Sequence, residues 1–404
     1  MKSKVIKFIR KELSKPLWYA AFRPFFFLSA FFGIIIMILW LFVFVYGLKI
    51  PGQAEHLNLT QWHAYNMLYG FVMAALAGFI VTAIPEFTST SFLPKKSAVM
   101  LVLIWLLARL AFLIPETLGS VLTALADITL TFWLFLFTIS RLNYVMFKRH
   151  YDIAFGLLLL LISVIGYHYE SITGATSMRF IRLTTGVWML LIVMALTRIS
   201  MQIVNDTLEK NTSDLKYIAR PPRKQLALIT ILLFSTAEFL STPAAFIGWL
   251  GLAVAASIFN LLNDWHLGKD AFGKWSIILY TIFVSLGVGY GLIGLTKLMN
   301  WPVTVESAGR HIMLISGLSV AVFMVFAIAG RFHSGRLLDE RRWVPIGILL
   351  LLGATITRFL LVSQYGYLFF WLAILFWILA FSLSLFYMLP VFISKRPDGK
   401  TDAS

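Results

Sequence analysis

Twelve apolar stretches, most of about 18 to 25 residues, fill nearly all of the chain between its charged clusters. A helix of that length crosses a hydrocarbon layer of roughly 30 Å. The composition agrees, because 60% of the 404 residues are hydrophobic and only 13% are charged. The sequence therefore predicts an all-α polytopic membrane protein with about 12 transmembrane helices. We place them near 24–48, 62–85, 97–114, 119–140, 152–168, 183–204, 224–241, 243–262, 274–297, 308–330, 342–362 and 365–388.

The Lys and Arg residues predict how these helices are oriented. Basic clusters precede helix 1 and follow each even-numbered helix, whereas the odd connections are nearly bare, with Arg179 and Arg182 as the exception. The positive-inside rule then puts both termini in the cytoplasm. The net charge of +16 reflects this topology, so the expected partner is the lipid bilayer, and no nucleic acid.

The longest connection, 205–223, is polar, carries both signs of charge and ends in Pro-Pro, as a surface linker does. It separates helices 1–6, at about 24–204, from helices 7–12, at about 224–388. We expect a single membrane domain spanning 1–404. The chain has no cysteine, which excludes disulfides and thiolate metal sites and leaves His, Met, Asp or Glu as metal ligands.

Four charged residues fall inside the predicted helices. Arg109 and Asp127 lie in the outer parts of helices 3 and 4, on either side of a tight connection, and we expect them to pair. Such a pair either holds the two helices together or forms the wall of a polar cavity or ion pathway. Arg358 and Glu238 lie near the outer ends of their helices, where each either extends toward water or has a partner or a function inside the membrane.

The histidines give the clearest indication of a site. His63 and His311 begin helices 2 and 10, which run from outside to inside, and His168 ends helix 5 on the same side, with His56 in the loop nearby. Two imidazoles from neighbouring membrane helices can hold a haem or a metal ion. Arg310, next to His311, would face the haem propionates, as would Arg179 and Arg182.

The remaining histidines are separate from this group. His333 lies about 22 residues beyond His311, or on the order of 33 Å along a helix, so it is a candidate ligand only for a different metal. His150 and His266 fall in basic inner loops and are expected to be solvated.

Helical geometry also assigns neighbours to His63. At 100° per residue, Asn66 and Met67 share its face, whereas Tyr65 points nearly opposite. Either Asn66 or Met67 is therefore placed to support His63, by a hydrogen bond to its ring or by packing. In the alternative, both residues serve only contacts between helices.

Several short motifs resemble the NnrS family in the same order along nearly the whole chain. They are "FRPFF" before helix 1, "WHAYNMLYGF" and "GFIVTAIP" along helix 2, the histidine that begins helix 10, and "HSGR" after that helix. The resemblance implies a polytopic bacterial inner-membrane protein that contains haem, which we take to be haem b, and copper. It also implies a role in nitric oxide metabolism, denitrification or resistance to nitrosative stress.

The chain departs from the family pattern in helix 2. Tyr65 and Asn66 stand where the family has His and Glu, so His63 carries over and the other two do not. A Cu(II) site normally uses two or more imidazoles, and the missing histidine removes one ligand. The missing carboxylate would have fixed the orientation of His63. These changes favour haem over copper.

Two functions remain open from the sequence. The first is a haem protein that binds, senses or turns over nitric oxide or another small diatomic molecule through His63 and His311, with a redox partner that the sequence does not identify. The second is a secondary transporter for a small solute, because twelve helices divided six and six by a cytoplasmic linker suit that class equally well. A haem-copper oxidase fold needs more membrane histidines than this chain has.

Overall fold

The computed structural model describes residues 14–49, 58–114, 116–144, 151–174, 178–360 and 366–399. Twelve long helices fall in these ranges, and each coincides with one of the apolar stretches. Their bounds are α1 Phe22–Tyr46, α2 Leu59–Thr88, α3 Lys95–Ala111, α4 Glu116–Tyr144, α5 Tyr151–Thr173, α6 Met178–Lys210, α7 Pro221–Phe239, α8 Ala244–Leu262, α9 Lys274–Met299, α10 Val303–Phe332, α11 Trp343–Phe359 and α12 Gly366–Phe392.

Among the described residues, nine of these helices are long and apolar enough to cross a membrane. The others are α3 and α11, which have 17 residues each, and α7, which has 19. The described part of the chain contains no β-strand. The protein is therefore an all-helical polytopic membrane protein.

Several helices run beyond their apolar stretches. Helix α6 continues to Lys210, so the first residues of the predicted 205–223 linker are helical. The extension is mostly polar, with Leu208 as its one buried apolar side chain, which is why the hydropathy pattern does not reveal it. Local signals fix other ends: Asn58 and Gln61 form a reciprocal capping box at the start of α2, and Gly47 ends α1 at a φ of +64°.

Two of the helices, α2 and α10, contain a π-helical segment. In α2 the segment is Asn66–Val72, which begins three residues after His63. In α10 it is Ile312–Ser319, which begins directly after His311. A π-helix uses i→i+5 hydrogen bonds and occurs mostly as short segments at functional sites. The 100° spacing of an α-helix therefore does not apply beyond Asn66.

The helices form two compact units that interleave along the chain. The first unit comprises residues 1–181, 322–344 and 381–404, and the second comprises 182–321 and 345–380. In the first unit, α2 packs on α1 and α4, and α4 packs on α3 and α5. In the second unit, α8 packs on α7 and α9, and α9 packs on the first part of α10.

One fully buried cation holds the first unit together. Arg23, in the "FRPFF" motif, donates from Nη1 to the backbone carbonyl oxygens of Phe392 at 2.9 Å and Ser394 at 2.6 Å. These carbonyls belong to the C-terminal end of α12 and the residues after it, where a helix leaves its last carbonyls without internal partners. The motif thus fastens the start of α1 to the end of α12.

Close helix contacts in the second unit depend on glycine. A Cβ on Gly251 of α8 would lie 2.9 Å from the Cα of Gly294 in α9. A Cβ on Gly289 of α9 would lie 2.8 Å from the carbonyl oxygen of Gly309 in α10. Small residues allow this approach, which brings α9 against α10 immediately before His311.

Candidate functional site

A buried polar network connects four helices of the first unit. Arg109 of α3 donates from Nη2 to Asp127 Oδ1 at 2.6 Å and to the Tyr65 hydroxyl at 2.8 Å. Tyr65 of α2 donates its O–H to Asp127 Oδ2 at 2.7 Å, and Nε2 of His168 in α5 lies 3.2 Å from the same oxygen. None of the four residues is more than 8% exposed. We call these residues the Asp127 network.

Aromatic rings enclose the Asp127 network. Tyr65 stacks on Phe112 and on Tyr167, with ring centroids 4.8 and 5.4 Å apart. The Arg109 guanidinium lies over the Tyr65 ring at 5.0 Å and over Trp105 at 5.9 Å. These faces stabilise a cation where water is excluded. Because these apolar rings exclude water, removing one charge of the Asp127 network leaves its partner charge unsolvated and lowers the stability of the protein.

The predicted pair of Arg109 and Asp127 is confirmed, because the two side chains form a salt bridge. The sequence did not indicate that Tyr65 and His168 complete the network. Tyr65 points away from His63, as helical geometry requires, and its opposite face meets α3, α4 and α5. The sequence did offer one signal for Tyr65: a tyrosine inside a membrane helix needs a hydrogen-bond partner for its buried hydroxyl group.

His63 lies in a different aromatic environment of the same unit. Its ring stacks on Trp40 of α1, with centroids 4.5 Å apart and an interplanar angle of 24°. Trp40 also stacks on Trp62. Asn66 donates from Nδ2 to the Trp62 carbonyl oxygen at 2.9 Å, so this bond goes to its own helix rather than to the His63 ring. Met67 is half-buried.

His311, in the second unit, has a hydrogen bond that bears on ligation. Its Nδ1 lies 2.7 Å from the backbone carbonyl oxygen of Ser307, one turn earlier in α10. A carbonyl only accepts, so Nδ1 carries a proton, and in the neutral ring Nε2 carries the lone pair. Arg358 of α11 donates from Nη2 to the Ser307 hydroxyl at 3.2 Å, which brings a second cation close to His311.

Arg310 takes part in an ion-pair network of its own. Its guanidinium donates to Glu238 of α7 and to Glu306 of α10, and Lys297 of α9 pairs with Glu306 at 2.7 Å. We call these four residues the Arg310 network. Of the two alternatives for Glu238, extension toward water is wrong, because Glu238 is 5% exposed and paired with Arg310. A salt bridge satisfies a carboxylate at this depth without solvent.

His333 ends α10 on the side opposite to His311. Its Nε2 lies 3.5 Å from Glu86 Oε2 at the end of α2. Burial, with a smaller contribution from Arg396, lowers the pKa of His333 to about 4, so its imidazole is neutral. Neutral imidazole is the form that binds metals, and the metal assignment of His333 stays a prediction.

The predicted site residues are divided between the two units. His63 and His168 belong to the first unit, whereas Arg310 and His311 belong to the second. His56 and His150 lie outside the described residues. Within the part of the chain that the structure describes, no three His, Asp or Glu side chains converge to hold a metal ion. Ligation by two histidines stays a prediction.

Comparison with known proteins gives one result. A sequence model of a protein family described as "NnrS protein" matches residues 16–396, which is nearly the whole chain. No curated protein matches the sequence significantly.

Proposed function

Because the chain belongs to the NnrS family, we propose that it is a haem-binding protein of the bacterial inner membrane that acts in nitric oxide metabolism or in the response to nitrosative stress. In this proposal all twelve helices cross the membrane and both termini are cytoplasmic. The basic clusters after the even-numbered helices support that orientation. His63 and His311 are the proposed iron ligands.

The hydrogen bond from His311 to Ser307 is the observation that best supports haem. Metal-binding histidines almost always donate their second ring N–H to a carboxylate or a backbone carbonyl, which fixes the tautomer and the direction of the ring. His311 makes such a bond through Nδ1, so that Nε2 is the atom suited to iron. An ordinary helix-end histidine does not require this arrangement.

The π-helical segments give independent support. Both proposed ligands stand just before such a segment, and together these are the two π segments among the described residues. A π segment costs hydrogen-bond geometry and is retained mainly where function requires it. Trp40, stacked on His63, provides the flat apolar surface that a macrocycle needs.

Other residues of the chain have supporting roles in the proposal. Bound haem would supply an iron that accepts a diatomic ligand or passes an electron. Arg358, beside Ser307, is a cation for a propionate, and Arg310 is already engaged by two carboxylates. Copper is not part of the proposal, because Tyr65, where the family has a second histidine, is directed to Asp127 and Arg109.

An absorption spectrum tests the proposal directly. The full chain, expressed with haem supplied and purified in a mild detergent, should show a Soret band and about one haem per chain. His63→Ala and His311→Ala should each change the band position or reduce haem content several-fold. His266→Ala is the matched control, because His266 is exposed in a loop. A folded wild-type preparation without a Soret band would refute haem binding and favour the transporter alternative.

A further inference from the structure

A cavity of about 570 Å³ lies in the first unit where α2 and α10 end. Its size falls within the range of small-molecule sites. It is separate from the proposed haem ligands, since Glu86 in its wall is about 23 residues from His63, or on the order of 35 Å along α2. The positive-inside rule places it at the cytoplasmic face.

The two helices that form the cavity end in the same way. In α10, Arg336 N donates to Arg331 O at 3.0 Å and Gly335 N donates to Phe332 O at 2.9 Å. In α2, Thr90 N donates to Pro85 O at 3.0 Å and Ser89 N to Glu86 O. Both are Schellman motifs, with Gly335 at a φ of +68° and Ser89 at +50°. The "HSGR" motif is therefore a helix cap that positions Arg336 in the cavity wall.

The second cation of the cavity is held in place. Arg396 donates to both carboxylate oxygens of Asp398, at 2.9 and 2.6 Å, and to the His333 carbonyl oxygen at 3.1 Å. A Cβ at Gly335 would lie 2.9 Å from Arg396 Nε, and the φ of +68° at this position also favours glycine. Arg336 donates to the Ser394 hydroxyl at 2.8 Å and to the Ser334 carbonyl oxygen at 3.3 Å. Both guanidinium groups are thus pre-positioned.

The lining of the cavity combines charge with apolar surface. Arg336 and Arg396 share it with Thr90, with the apolar side chains of Phe92 and Leu337, and with Glu86. Guanidinium groups match the oxygen geometry of phosphate, and hydroxyl groups add further donors. Apolar surface at the end of membrane helices suits the glycerol and acyl part of a lipid.

We propose that this cavity binds a phosphate group, carried by a phospholipid headgroup or by a soluble phosphate ester, with Arg336 as its main cation and Arg396, which is already paired with Asp398, as a further hydrogen-bond donor. Glu86 opposes a purely anionic ligand, so its charge lowers the affinity for such a ligand. The site is independent of haem and adds a second function to the chain.

Binding of two probes to the purified full chain in neutral detergent tests the site. Short-chain phosphatidylglycerol and inorganic phosphate are titrated separately by calorimetry at low ionic strength. Binding of the lipid alone identifies a headgroup site, and binding of both probes identifies a site for soluble phosphate esters. If neither probe binds to the folded wild-type protein, the proposal is overturned.

Variants then locate the binding. Arg336→Gln should weaken the Kd at least tenfold, whereas Lys395→Gln, which removes an exposed charge next to Arg396, should change it less than twofold. Glu86→Gln should tighten the Kd severalfold, and this gain cannot result from misfolding. Equal losses in Arg336→Gln and Lys395→Gln, or no gain in Glu86→Gln, would contradict the assigned site.

Discussion

The Asp127 network and the Arg310 network both hold charged side chains among the helices, but they differ in burial and in the number of ion pairs. In the first, one carboxylate and one guanidinium pair in near-complete burial, with side chains 0% and 6% exposed. In the second, Arg310 is 16% exposed and Lys297 is 24% exposed, and two carboxylates share the two cations. The first network therefore depends on every charge, whereas the second is redundant and partly solvated.

This difference changes what each network contributes to the stability of the protein. A fully buried pair gains little net stability over apolar packing, but it is costly to break. The Asp127 network joins α2, α3, α4 and α5 through one carboxylate, so its charges specify which helices meet. The Arg310 network joins α7, α9 and α10, and Arg310 keeps a carboxylate partner after the loss of either Glu238 or Glu306. We expect their responses to substitution to differ accordingly.

The largest expected effect comes from Asp127→Asn. This change leaves the Arg109 cation buried without a counter-charge, and we expect a loss of about 3–5 kcal/mol in the free energy of unfolding. Thermal unfolding of the protein in detergent micelles measures it. The double variant Arg109→Met with Asp127→Leu should recover most of that loss. Asp206→Asn, at an exposed position of α6, is the control. Equal destabilisation in the single and double variants would contradict the interpretation.

An intermediate effect is expected for Glu238→Gln. Arg310 loses one charged partner but keeps Glu306, so we expect a cost of about 1.5–3 kcal/mol. The same unfolding measurement applies, with Glu209→Gln as the matched exposed substitution. A loss as large as that of Asp127→Asn would remove the contrast between the two networks.

The smallest effect is expected for Lys297→Gln. Its ion pair with Glu306 is partly exposed, and such pairs contribute about 0–1 kcal/mol. Added salt should weaken this contribution further, so the difference between wild type and variant should shrink as ionic strength rises. Unfolding curves at low and high salt measure it. If the loss in the free energy of unfolding does not depend on salt, Lys297 behaves like Arg109, whose ion pair is buried away from solvent.

The sequence predicts the helices and some of their contacts for clear physical reasons. Apolar length is required by the bilayer, which is why a helix occupies each predicted stretch. Arg109 and Asp127 are predictable because a tight connection brings α3 and α4 side by side. Glu238 and Arg310 lie 72 positions apart, and nothing in the sequence shows that α7 and α10 are neighbours. Partners of that kind follow only from the packing of the helices.

The surroundings of His63 show a second limit. Helical geometry correctly separates Tyr65 from His63, but it leaves open whether Asn66 bonds the His63 ring or the helix backbone, and in the structure Asn66 donates to the Trp62 carbonyl oxygen. A π segment begins at Asn66, and the sequence carries no periodic signal for it. The ligand roles of His63, His311 and His168 stay predictions, because they depend on a bound group rather than on the fold.

The π segments make the orientation of each histidine depend on residue number rather than on helix length. Relative to an α-helix, a π segment accommodates an extra residue, and one residue corresponds to a rotation of about 100°. Deleting one residue from Asn66–Val72 would let this segment return to an α-helix with the two ends of α2 in nearly the same orientation. Deleting one residue between Met73 and Pro85, where α2 is already α-helical, would turn His63 to a different side relative to Pro85. Both deletions leave α2 long enough to cross the bilayer, so a membrane-topology assay would not distinguish them.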